Sequence, residues 1–352
     1  MTNDQIDIKK IRLRHLYQFA RDTLKDPTYQ EIAPISLLRA KSQALNPQGE
    51  PNDIALLVAI HQNRCVGYHG LLPGFLQNGG RLSKILWLIT FYVDTRCRGK
   101  GIGKRLVAAI QEEGVDLITT GITKGAEMVY RSAGFGQLGD LPFCQLSPTY
   151  DFFSSDGQNA SAVRQNSFST IAVDRLIERE GEDIDSRRPA ICFKRDSDTI
   201  NWMIRNPWVV SGGEAQEDVG NYYFSLVRER FEFVALEVFS PDRKKRLGYL
   251  VLSISRKKKR MVVKILDYYF QDPNDIAFGG QLAMEYTSAY KADRLECPVG
   301  FANFFRSQPS LAPMLKRKKR LYLYCPRSRR SPLAKLAGEI ELNYCDSDTA
   351  FT

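Results

Sequence analysis

The stretch from Ile85 to Glu113, ILWLITFYVDTRCRGKGIGKRLVAAIQEE, decides the fold. Ile85 to Val93 is an unbroken apolar, β-branched and aromatic run, which predicts a buried strand too short to cross a bilayer. The run stops at Asp94. A turn dense in glycine and cation follows, Arg98-Gly99-Lys100-Gly101-Ile102-Gly103, and then Leu106, Val107 and Ile110 recur at helical spacing. Strand, glycine loop and helix in that order make a place to hold a phosphate. Glycines let backbone N–H groups approach an anion closely, and the first helical turn adds unpaired donors and the positive end of its dipole. Lys104 and Arg105 add charge to that of Arg98 and Lys100.

The spacing is not that of the commoner phosphate loops: no GK[ST] follows four free positions, and Gly99, Gly101 and Gly103 do not form G-x-G-x-x-G. Arg98, Gly101 and Gly103 instead form R-x-x-G-x-G after a strand ending Tyr92-Val93-Asp94. Downstream, Ala126, Tyr130, Gly134 and Phe135 form A-x-x-x-Y-x-x-x-G-F. The two motifs together resemble the acyl-CoA pyrophosphate loop and the second signature of the GCN5-related N-acetyltransferase (GNAT) superfamily. Val115 to Thr120 reads as a strand between two helices.

The resemblance implies a bulge that splays the Ile85–Val93 strand from its neighbour. The backbone of Tyr92, Val93 and Asp94 would then face the pantetheine arm of acetyl-CoA or another acyl-CoA. Amides from Arg98, Gly99, Lys100, Gly101, Ile102 and Gly103 would meet the pyrophosphate, and Lys104 or Arg105 the adenosine end. It also places Tyr130 near the sulfur as general acid. Many members carry a glutamate base on the anchor strand, but Trp87, Leu88, Ile89 and Thr90 include none. His69, on the preceding strand with an ordinary pKa of about 6.5, and Asp94, equally suited to capping the turn, are the candidates. Thr123 stands where the family often has asparagine. Trp87 and Phe91 are candidates to narrow the acyl pocket, their facing left open by strand alternation.

A chain of 352 residues, 43% apolar and 26% charged, suits two globular domains. The N-terminus lacks the features of a signal peptide, and no run is a transmembrane segment. Seven scattered cysteines without a C-x-x-C pair point to neither disulfides nor zinc, so no metal is expected and a cytoplasmic location fits.

The expected fold is α/β (α+β): a mixed, mostly antiparallel GNAT-type sheet flanked by helices, in two such domains. The domains are 1–153, which binds acyl-CoA; a polar linker, 154–170; and 171–352, a degenerate second copy. Residues 6–25 and Pro34 to Asn46 read as helices, and Ile54–Ile60, Cys65–Leu72 and Ser83–Val93 as a strand meander. In the second half Val173–Arg179 and Thr199–Trp208 read as helices. Tyr222–Val227, Phe231–Phe239, Leu247–Ser255 and Met261–Phe270 read as strands, Ala277–Lys291 as a helix and Arg294–Val299 as a strand. Ile340 onward reads as a strand and acidic turn. Lys264 to Phe270 takes the place of the anchor strand, but Gln271-Asp-Pro-Asn-Asp-Ile276 replaces the glycine loop, so the second copy is expected to frame the acceptor rather than bind acyl-CoA.

The net charge of +10 concentrates at Arg256–Arg260 and Lys316–Arg320, solvated strand edges or a surface for an anionic partner. No nucleic-acid motif is present. The functional expectation is transfer of an acetyl or short acyl group to a primary amine of a small or nucleotide-linked acceptor, an amino sugar among them. A protein N-acetyltransferase and a non-catalytic acyl-CoA sensor are the alternatives. The oligomeric state is open.

Overall fold

The structure, a computed structural model, describes residues 6–148, 168–176, 191–211, 221–328, 331–335, 340 and 343–351. The first half runs β1 (Asp7–Arg12), α1 (Leu13–Thr23), α2 (Leu37–Ala44), β2 (Ile54–His61), β3 (Arg64–Asn78), β4 (Arg81–Val93), α3 (Ile102–Gln111), β5 (Asp116–Thr120), α4 (Lys124–Ser132) and β6 (Gly136–Leu146). The second runs β7 (Ser169–Val173), β8 (Ile191–Phe193), α5 (Ser197–Arg205), β9 (Val209–Ser211), β10 (Leu226–Arg228), β11 (Arg230–Phe239), β12 (Arg246–Lys257), β13 (Arg260–Phe270), α6 (Ile276–Ala289), β14 (Arg294–Pro298), α7 (Ala302–Ser307), β15 (Leu315–Cys325) and α8 (Pro332–Lys335). The architecture is a mixed, mostly antiparallel sheet flanked by helices.

Among the described residues, thirteen strands form one sheet in the order β1-β2-β3-β4-β5-β15-β6-β14-β13-β12-β11-β7, with β8 attached to β3. Apart from β8 the order is palindromic. Each strand of the first half has a counterpart at the same distance from the centre, and the two central strands are exchanged. β15 pairs with β5 of the first half, and β6 with β14 of the second. The two exchanged strands pair with each other from Leu315 to Tyr324. Within this sheet each half contains one parallel contact, β4 with β5 and β13 with β14.

Two readings fail at the ends of this sheet. Residues 6–25 are not one helix, because Asp7–Arg12 pairs antiparallel with β2 before α1 begins. Val173 likewise ends a strand paired with β11, and residues 177–179 lie outside those described. Both segments are the sheet's outermost strands, where pairing with a neighbour overrides weak helical spacing. Tyr222–Ser225 is turn, and only Leu226–Arg228 is strand, parallel to β9. The expected linker lies almost wholly outside the described residues, as do residues 341 and 342.

One apolar cluster joins Leu106, Val107 and Ile110 of α3 to Tyr130, Phe135 and Leu323 of β15. Thus a strand of the second half packs beneath the first half's helices. No described helix is long and apolar enough to cross a membrane.

Candidate active site

The anchor strand opens where the chemistry of the loop requires it. In the β3–β4 ladder His69 faces Phe91 and Leu71 faces Leu88, so Gly70 alone opposes Ile89 and Thr90. The extra residue makes a bulge on β4. A Cβ on residue 70 would strike the Thr90 hydroxyl, which restricts that position to glycine. β4 pairs with β5 only from Ile85 to Leu88. Beyond the bulge, Ile89 to Val93 has no strand partner on that side among the described residues, and the gap is a cleft of about 460 Å³.

The glycine loop sits at the end of the same strand. Gly99 and Gly101 adopt φ of +83° and +77°, and nothing lies within 4 Å of where a side chain would begin. Gly101 is the N-cap of α3 and offers no side-chain cap, so the first amides of the helix remain uncovered. Gly103 is glycine for another reason: a Cβ there would come within 2.9 Å of Phe91 Cζ. Ile102 is core, while Arg98, Lys100, Lys104 and Arg105 are exposed. The Arg98 Nε donates to the Val93 carbonyl at 3.4 Å, tying the loop to the open strand.

Tyr130 and His69 come together. Tyr130 belongs to α4, which is capped by the Thr123 hydroxyl accepting from Ala126 N–H at 3.2 Å. Its ring packs on Phe135 at 5.1 Å and it lies on the cleft wall, with its oxygen 2.7 Å from His69 Nε2. His69 Nδ1 lies 3.1 Å from the Gly70 carbonyl, which can only accept. Nδ1 therefore carries the hydrogen, and Nε2 accepts from the phenol. Burial pushes the phenol well above its ordinary 10 and lowers the imidazole to about 4, so both are neutral.

This gives a stability prediction. An unfolded chain protonates His69 near 6.5, whereas the folded chain resists until about 4. The folded state thus loses ground as pH falls through that window. Between pH 6.5 and 4.5 the native protein should lose roughly 2 kcal/mol more than His69→Gln in urea unfolding. Parallel pH profiles for the two proteins would refute the assignment of a neutral His69.

Asp94 stands elsewhere. Its carboxylate accepts from Arg96 Nε at 3.1 Å and Nη2 at 2.6 Å and caps the following turn through Arg96 N–H at 3.0 Å. The Arg96 guanidinium, itself joined to Glu31, holds the Asp94 carboxyl below its usual range. Asp94 does not line the cleft. Tyr92 and Val93 do, as do Phe91 and Arg98. Phe91 stacks on His69 at 4.8 Å, whereas Trp87 turns to the opposite face and packs on Phe193 at 4.5 Å.

The far wall of the cleft was missed by sequence reasoning. Arg39 comes from α2, and Tyr223, Phe224, Leu226, Arg320, Asp348 and Thr349 from the second half. Asp348 accepts from Arg39 Nη2 at 3.0 Å, and Arg39 lies over Trp208 at 4.6 Å. The available signal was weak: the segment from Ile340 onward read only as a strand and acidic turn. Among the described residues no cluster could hold a metal.

The second half has kept the geometry and closed it. In the β12–β13 ladder Val251 faces Asp267 and Leu252 faces Ile265, leaving Leu266 as an extra residue. β13 pairs with β14 only from Val262 to Lys264. Here the freed backbone has a partner, since Cys345 N–H donates to the Leu266 carbonyl at 3.2 Å. The chain's last described segment fills the place equivalent to the open cleft.

A glycine loop opening a helix, beside a splayed strand and a tyrosine on the next helix, defines an acyltransferase-type α/β site. Residues 52–137 match the family model described as an acetyltransferase (GNAT) domain. The match makes that stretch GNAT-like and extends no further along the chain. None of the curated proteins compared with it matches. A GCN5-related N-acetyltransferase from Anabaena variabilis has a similar structure at 11% identity and a TM-score of 0.52, with 92% of this chain and 73% of that one covered. A probable N-acyltransferase from Enterococcus faecalis gives 12% identity and 0.51, covering 91% and 72%. Saccharomyces cerevisiae N-myristoyltransferase with bound myristoyl-CoA gives 11% and 0.51, covering 94% and 84%. At such identities these structures speak to the fold alone.

Proposed function

We propose that the chain is an acyl-CoA-dependent N-acyltransferase, with an active first copy over residues 1–153 and a degenerate second copy over 171–352 that closes the acceptor side. The observation that carries this reading is the Tyr130 phenol on the wall of the splayed cleft, together with the uncovered amides of the glycine loop that follows the same strand. The free edge from Ile89 to Val93 fits an amide-bearing pantetheine arm, and the loop from Arg98 to Arg105 fits a pyrophosphate and the adenosine end. The thioester, which we take to be acetyl-CoA or a short-chain relative, supplies the activated acyl group.

The acceptor amine attacks the thioester carbon, forming the C–N bond as the C–S bond breaks. The proton lost by nitrogen balances the one gained by sulfur. Tyr130 donates to the departing thiolate. His69 lies behind it as a positioning residue: it accepts the phenol's one hydrogen in the resting site, and that hydrogen turns to the sulfur as the C–S bond breaks, the proton released by nitrogen restoring the phenol. Asp348 is suited to hold the acceptor's ammonium, and Arg320 an anionic group on the same molecule. Holding both reactants in one cleft supplies much of the rate.

The test is thermal unfolding with a panel of acyl-CoA thioesters. Acetyl-CoA is expected to raise the midpoint of the native protein and to leave an Arg98→Glu, Lys100→Glu variant, changed only at exposed positions, close to its unliganded value. No shift with any thioester would remove the transferase reading. Binding without turnover of any amine would leave an acyl-CoA sensor in its place.

A further inference from the structure

β15 is paired unequally on its two sides. Its ladder with β6 runs from Leu315 to Tyr324, but its ladder with β5 begins only at Tyr322, opposite Thr120 where β5 ends. From Leu315 to Leu321 the edge facing the line of β5 has no strand partner among the described residues. The Leu321 carbonyl accepts from the Thr120 hydroxyl at 3.0 Å, so at the usual rise Leu315 to Arg320 leaves about 17 Å of open ladder. It carries Lys316-Arg-Lys-Lys-Arg320, of which the first four are exposed. Lys316, Lys318 and Arg320 share one face by strand alternation, and Arg320 is part of the cleft wall. The basic edge therefore runs directly into the candidate active site.

We infer that this edge docks an acidic, extended polypeptide that adds to the sheet as a strand collinear with β5 and delivers its amine to the cleft. An open ladder edge offers alternating N–H donors and C=O acceptors. A peptide backbone answers both, whereas the phosphates of a nucleic acid or lipid surface only accept. Charge complementarity selects acidic side chains, and a strand laid along Leu315–Arg320 ends beside Thr119 to Thr123, which line the same cleft. The inference names the acceptor class for the transferase reading and rests on that reading only for what happens at the cleft.

The experiment uses the full chain without acyl-CoA and follows fluorescence anisotropy of a short labelled peptide of alternating Glu and Thr. Binding is expected to be salt-sensitive and to weaken by about tenfold or more in Lys316→Glu, Lys318→Glu. It should weaken comparably when the peptide's backbone nitrogens are methylated at every second residue, which preserves charge and removes the edge hydrogen bonds. Both changed positions are exposed, and an unaltered thermal midpoint of the variant verifies its fold. No binding overturns the inference. So does equal binding of the methylated peptide or of a DNA oligonucleotide, either of which would mark a general polyanion surface. A peptide that binds while no thioester shifts the midpoint would retain the docking edge and discard the transferase.

Discussion

Tyr130→Phe is expected to lower kcat about a hundredfold or more while leaving the KM for acyl-CoA nearly unchanged. The phenol is held by His69 and bonds no residue of the glycine loop, so its loss removes a proton donor and leaves the loop intact. The change also leaves His69 Nε2 buried without its donor, at a cost of about 1–3 kcal/mol in stability. Urea unfolding separates that cost from the kinetic one, since a folded variant with unaltered KM and a collapsed kcat has lost chemistry alone. A variant retaining native kcat would dismiss Tyr130 as the acid.

The second large effect lies away from the cleft. Arg195 is 2% exposed and donates through Nη1 to Asp346 at 3.0 and 3.1 Å, with its Nε 3.3 Å from Asp267. Tyr249 and Asn343 also donate to Asp267, each at 2.9 Å. Burial raises the Asp346 carboxyl to about 6 even with the guanidinium beside it. Arg195→Met leaves two buried carboxylates facing each other and is expected to cost about 3–5 kcal/mol at pH 7. The sign of the pH dependence follows. A carboxyl whose folded pKa is raised above 3.8 gains stability as pH falls through 6, and without the arginine that gain is larger. The variant's deficit should therefore narrow between pH 7 and 5. A constant deficit would place the loss in packing alone. Because the same segment carries Asp348 and Thr349, the variant should also lose transfer activity.

What was legible in the sequence was local. The Ile85–Glu113 stretch and the Tyr130 motif announce themselves because glycines at fixed offsets and an apolar run have immediate neighbours as their cause. The β2–β3–β4 meander follows from period-two patterning between turns. His69 was legible as a candidate but its partner was not, since the hydrogen bond to Tyr130 joins a strand and a helix far apart in the chain. The edge strands β1 and β7 misled for the opposite reason. Their few apolar residues are spaced as a helix would place them, and the sheet alone decides their conformation. Asp348 and Arg320 reach the cleft through the strand exchange and the closing C-terminal segment, for which no residue pattern exists.

That exchange sets the order in which the molecule can be made. When Leu146 leaves the ribosome the first half has β1 to β6, yet β5 lacks the neighbour it holds in the finished sheet. The missing strand is complete only when synthesis reaches Cys325, on the order of ten seconds or more later at usual elongation rates. During that interval the edge of β5 is open, and the helix carrying Tyr130 lacks Leu323 beneath it. A nascent chain stalled between β6 and β15 should be readily cleaved by protease, and the acceptor side of the cleft takes shape only once the last strand has been threaded into the first half.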